Sequence, residues 1–156
     1  MNTTLSYPSD NFPAAPAITL SVPSHWQPLA TADTLMAAID PSTAVFQSNV
    51  TVSAERFPVA LGLGDIAAQV IADRTERLTN HSVTKPPASS DSSRITWRAT
   101  FLVAVNGEPL SLTQWTVLVD QPATTTQRYV VVGTLTMATA DVQDNSADVL
   151  ASLVAI

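Results

Sequence analysis

Apolar residues recur at every second position through much of the chain, the period of strands with one buried face. Over residues 17–22, Ile18, Leu20 and Val22 fall on one side, which predicts a first strand, and Pro23-Ser24-His25-Trp26 ends it in a turn. Over 46–57, Val50, Val52 and Ala54 alternate with Asn49, Thr51, Ser53 and Glu55, a strand with one polar face. Farther on, Ile95, Trp97, Ala99, Phe101, Val103 and Val105 alternate with Arg94, Thr96, Arg98 and Thr100. Asn106-Gly107 follows, the pair that most readily adopts the positive φ angles of a two-residue hairpin turn, so the chain is expected to return over 110–119. A turn with Pro122 leads to residues 129–137, whose start is apolar on both faces. That pattern belongs to a central strand.

Two segments switch to the helical period. Leu63, Ile66, Ala67, Val70, Ile71 and Leu78 form one stripe at 3.6-residue spacing, with Asp65, Gln69, Asp73 and Glu76 on the wet side. This predicts a helix over 63–78 with Val70 at the centre of its contact. A closing helix is expected over 144–154, with Val149, Leu150, Leu153 and Val154 facing inward. Residues 34–40 fit a short helix or a strand equally well. Residues 79–93, with Pro86-Pro87, read as a loop or at most an edge strand. Residues 1–16 carry Pro8, Pro13 and Pro16 among small polar residues, and prolines cannot donate to a ladder. They read as an extended tail whose removal leaves stability nearly unchanged.

These elements describe one α+β domain over 17–156 behind the 1–16 tail. Its expected architecture is a mostly antiparallel sheet of about six strands with two main helices packed on one face. The order of elements resembles the PsbP-like fold and, within it, the LpqN-type actinobacterial protein family. Three stretches carry the resemblance across residues 16–156: the opening strand running into Pro23-x-x-Trp26, the 49–55 strand leading to a helix near 65, and the 129–137 strand before the closing helix. The resemblance implies a binding or accessory role rather than catalysis. LpqN-type proteins begin with a signal and a lipid-bearing cysteine, and this sequence shows neither. It therefore reads as cytoplasmic as written, and as a cell-envelope protein only if a leader has been removed.

Composition narrows the functions. Hydrophobic residues make up 46% of the 156, enough for a core without staples. Thirteen acidic residues face seven scattered basic ones. No basic stripe exists to track a phosphate backbone or an anionic membrane surface, so nucleic acid is not an expected partner. The absence of cysteine removes thiolate metal sites and cysteine nucleophiles. No apolar run approaches membrane-spanning length, so no membrane insertion is expected. His25 and His81 stand far apart and do not make a metal site by themselves. Asp141, Asp144 and Asp148 lack the spacing and turn glycine of a calcium loop and read as charges at a helix start. No G-x-S-x-G elbow or phosphate-cradling glycine loop occurs. No metal, cofactor or catalytic residue is expected.

The best reading is thus a non-catalytic binding module for a protein or small ligand, and a homodimer is compatible with it. The alternatives are a small secretion chaperone or adaptor that holds apolar segments in a sheet groove and, behind it, a small-molecule hydrolase or transferase. The candidate partner surface is the strand face of Arg94, Thr96, Arg98 and Thr100, where two arginines could grip a carboxylate and the threonines supply hydrogen bonds. Trp115, on a less clearly polarised strand, reads first as a core residue, given the area an indole buries, and second as a groove-lining candidate for the same partner surface.

Overall fold

The computed structural model describes residues 1–43, 45–84 and 93–156. The predicted loop around Pro86-Pro87 lies outside them. Nine strands occur among the described residues: β1 (Ile18–Thr19), β2 (Gln27–Pro28), β3 (Met36–Ile39), β4 (Asn49–Pro58), β5 (Thr79–Thr84), β6 (Arg94–Val105), β7 (Glu108–Pro122), β8 (Gln127–Ala138) and β9 (Val154–Ala155). Two α-helices, α1 (Leu63–Thr75) and α2 (Asp148–Ala151), accompany them, with a 3₁₀ turn at Thr139–Asp141. Of residues 34–40, Met36–Ile39 form strand β3 and no helix occurs there.

Seven strands, rather than about six, form one antiparallel sheet in the order β2-β3-β4-β8-β7-β6-β5. As its two-faced apolar pattern requires, β8 is the central strand. Val105 pairs with Glu108 across the Asn106-Gly107 turn, whose φ angles are 52° and 81°. Both central residues thus sit in the left-handed region that suits the twist of a hairpin.

Register assigns the faces, because residues paired across an antiparallel ladder point the same way. Ile95 pairs with Leu118 and Leu118 with Val132. On that face α1 lays Leu63, Ile66, Ala67 and Ile71 over Trp97, Leu118, Val130 and Val132. Val50 and Leu135, which pair with each other, and Trp115, Val117 and Val131 point to the opposite face, where Leu150 and Leu153 cover them. The two helices therefore sandwich the sheet instead of sharing one side. Period alone could not show this, since a strand buried on both faces serves either arrangement. Within α1 the centre of the contact is Ile66, at 1% exposure; Val70 is only half-buried at its margin.

The closing segment also departs from expectation. Leu150 and Leu153 are buried as predicted, but α2 is a single turn and Val154 is 48% exposed. Ser152 stops the helix: its hydroxyl donates to Val149 O at 2.6 Å and accepts from Ser21 N–H at 2.9 Å. A short hydroxyl competes in this way with helix continuation. The chain then pairs Val154 with Thr19 and Ala155 with Ile18. So β1 is shorter than the predicted strand, although Ile18, Leu20 and Val22 do pack on the core as a set.

The N-terminal segment is tied down. Tyr129, buried on β8, donates its phenol hydroxyl to Pro13 O at 2.7 Å. Burial, with Tyr7 beside it, holds that phenol above its ordinary pKa. Removing residues 1–15 should therefore cost about 1 kcal/mol, the net worth of one hydrogen bond. For a domain of this length that lowers the melting temperature by about 2–4 °C. Thermal melts of the truncated chain and of Tyr129→Phe check this, and the two losses should not add, because they remove the same bond.

Candidate functional site

Arg74 interrupts the apolar stripe of α1. After Ala67 and Ile71 the stripe reaches position 74, where an arginine precedes Leu78. On the sheet beneath, Thr51 pairs with Thr134, Thr134 with Thr116, and Thr136 with Gln114. Five polar side chains thus share one patch between two apolar clusters. One cluster lies under α1; the other joins Phe101, Leu112 and Ala138 to Phe46 and Leu78. Gln114 Nε2 donates to Thr136 Oγ1 at 3.1 Å. Arg74 Nη1 donates to Thr116 Oγ1 at 3.2 Å and to Thr134 Oγ1 at 3.0 Å. Thr116, Thr134 and Thr136 are all buried.

Above the patch opens a cleft of about 750 Å³, floored by Thr51, Gln114 and Thr134 and walled by Arg74, Arg77 and Leu78, with Asp73 and Glu76 at its rim. A second cleft of about 580 Å³ shares Arg77 and Leu78 with it and continues over Phe101 and Val103. Burial pushes the Arg74 guanidinium below its ordinary pKa, against the opposing pull of the Glu55 carboxylate. Even so, no carboxylate of the described residues comes within 4.0 Å of it. Among the described residues, the guanidinium is held by neutral hydroxyls alone.

On the opposite face a cavity of about 410 Å³ is lined by Trp26, Leu135 and Met137 together with His25 and Asp40. His25 Nε2 lies 3.4 Å from Asp40 Oδ1, and that oxygen also accepts from Ser42 N–H at 2.9 Å and Ser42 Oγ at 2.6 Å. Burial raises the Asp40 carboxyl, but the bonds from Ser42 and His25 outweigh it, and the net shift is downward. A carboxyl whose folded pKa lies below its unfolded value of about 4 adds stability at higher pH and loses it as pH falls through the folded value. Asp40→Asn should therefore lower the melting temperature at pH 7. It should also flatten the decline between about pH 5 and pH 2. A pH series of thermal melts on both proteins checks this, and parallel curves would contradict it.

The predicted partner surface is a real common face. Arg94 pairs with Val119, Thr96 with Val117, Arg98 with Trp115 and Thr100 with Thr113. It is the face that carries α2, however, and none of the five residues lines the three clefts. Thr96 and Arg98 are exposed and Thr100 is half-buried. Arg94 donates from Nη1 to Leu150 O at 3.2 Å and from Nη2 to Leu153 O, so it latches the closing segment to the sheet. Reversing its charge would disturb that segment as well as any contact. Trp115 is 8% exposed within the core cluster rather than along a groove. His81 is exposed, its Nδ1 3.3 Å from Leu78 O.

Fold and clefts together define an α+β protein whose sheet carries a recessed polar patch. No protein-family model matches the sequence, and no curated protein matches it either. Among solved structures, the crystal structure of LpqN, a protein involved in cell envelope biogenesis of Mycobacterium tuberculosis, shares the fold with a TM-score of 0.57. The match has 14% identity and covers 90% of this chain and 79% of the LpqN chain. The chain thus has a distant LpqN-like fold. No helix of the described residues is long and apolar enough to cross a membrane.

Proposed function

We propose that this protein is a non-catalytic binding module of the LpqN type, with a PsbP-like fold, whose ligand seats in the cleft between the C-terminal turn of α1 and the Thr/Gln patch. The observation that carries the proposal is Arg74, a half-buried guanidinium placed in a helix stripe where an apolar residue would pack better. Desolvating a cation costs free energy that hydroxyl partners repay only in part. Such a cost is tolerable where the group meets a ligand. The polar groups at hand are threonine hydroxyls, an amide, two guanidinia and the carboxylates of Asp73 and Glu76. The Thr134 hydroxyl bonds to the Arg74 guanidinium and not to a base, an arrangement that orients a ligand rather than activating a nucleophile. The likeness to LpqN supports a role at the cell envelope.

A fragment screen read by amide chemical shifts tests this. Hits are expected to perturb Thr51, Arg74, Gln114 and Thr134 together and to be recovered chemically unchanged. Hits confined to the His25–Asp40 cavity, or turnover of a hit, would overturn the proposal.

A further inference from the structure

We infer that the ligand of this cleft is a monocarboxylate with an apolar body, its carboxylate held by Arg74 and its body running past Leu78 toward Phe101 and Val103. The inference rests on the reading of the cleft as a binding site and adds the chemistry of what fills it.

The first argument concerns unused donors. A guanidinium carries five N–H groups in a planar fork. Both hydrogen bonds of Arg74 leave from Nη1. Nε and Nη2 make none to the described residues, and neither is a sealed-off buried atom. Arg74 lines the cleft, and the Nε/Nη2 edge is the part of its fork that the threonine hydroxyls leave unengaged. That edge presents two parallel N–H donors, the geometry that matches the two oxygens of a carboxylate. The two threonine hydroxyls hold Nη1 from below, so the fork is oriented before a ligand arrives.

The second argument concerns charge. Arg74 and Arg77 face Asp73 and Glu76 around the cleft, and Glu55 acts on Arg74 from the sheet. These are two cations and three carboxylates, none of the carboxylates within 4.0 Å of Arg74, so a monoanion paired directly with its guanidinium brings the least added repulsion. A phosphate dianion would bring a second charge against three carboxylates with no further cation within the lining. A neutral amide would leave the desolvated cation unmatched.

The third argument concerns shape. The polar cleft shares Arg77 and Leu78 with the neighbouring one, where Phe101, Val103 and Pro109 present apolar surface. Among the described residues, a ligand anchored at Arg74 has an apolar path in that direction, past Leu78.

Hexanoate, hexanamide and inorganic phosphate are the probes, each titrated into the full chain and followed by amide shifts. Hexanoate is expected to bind at Thr51, Gln114 and Thr134 at least about tenfold more tightly than hexanamide, the difference between a charge-assisted and a neutral hydrogen-bonded pair. Phosphate should produce no saturable shift there. Arg74→Gln keeps a partner for the threonine hydroxyls and should abolish the preference for hexanoate. Equal binding of hexanoate and hexanamide in the cleft would overturn the carboxylate inference while leaving the site intact. Tighter binding of phosphate would overturn it too. Shifts absent from the cleft for all three probes and for every screened fragment would remove the site itself. Because the comparison among probes is made on the unmodified protein, it stands even if Arg74→Gln fails to fold.

Discussion

Ile66→Asp is expected to leave no folded protein. Ile66 is the most deeply buried side chain of α1, enclosed by Trp97, Leu118, Val130 and Val132. A carboxylate there would have no cation and no hydrogen-bond donor from those neighbours, and it would have to stay neutral or drive the helix off the sheet. α1 is the only long helix of the described residues, so losing its seat exposes the whole Trp97 face. Ile66→Val should fold with a loss of about 0.5–1.5 kcal/mol, because only one methylene is removed. Val70→Asp should be milder than Ile66→Asp, since Val70 is half-buried and its carboxylate can turn outward. Soluble yield and circular-dichroism melts of the three variants check the order. Equal tolerance of Ile66→Asp and Val70→Asp would mean that α1 is rotated from the orientation described.

Gly133→Val should cost about 3 kcal/mol or more, the upper range for overpacking a filled site. Gly133 sits midway along β8, opposite Val52 on one side and Val117 on the other. A Cβ added there would lie 2.8 Å from Leu153 Cδ2, 3.0 Å from Val117 Cγ1 and 3.1 Å from Leu150 Cδ2. The glycine is thus not required by its backbone angle; it leaves room for the closing segment to lie against the central strand. Leu150 and Leu153 are both fully buried, so they cannot swing to solvent without opening the core around Trp115. Gly133→Ala should cost less, because strand conformation favours alanine over glycine and only one carbon must be accommodated. Denaturant melts of both variants provide the measurement. A Gly133→Val protein as stable as the parent would show that residues 150–153 do not rest on this strand.

The candidate site was legible only in fragments. Arg74 occupies a stripe position of α1, and a charged residue in an apolar stripe can be read directly from the spacing of Ala67, Ile71 and Leu78. Thr134 and Thr136 likewise break the apolar run of a central strand. Neither signal points at the other, because helix α1 and strands β4, β7 and β8 supply the patch from four separate stretches of chain. The surface favoured by the sequence, Arg94 with Arg98, drew notice because two of seven basic residues share one strand face. In the fold Arg94 donates to the carbonyls of Leu150 in α2 and Leu153 just beyond it, a contact that no local pattern encodes.

Local chemistry by itself determined the strands of the meander, the Asn106-Gly107 turn, the inner side of α1 and the central place of β8. Each depends on the period of side chains along a few residues, and that period is a property of the backbone. Only the tertiary structure decided which face of the sheet each helix covers, and that Ser152 and the pairing of β9 with β1 cut the closing helix to one turn. These outcomes depend on contacts between residues far apart in the chain. A strand buried on both faces carries the same pattern whichever helix lies above it, so the choice is made by packing volume, as at Gly133 beneath Leu150 and Leu153.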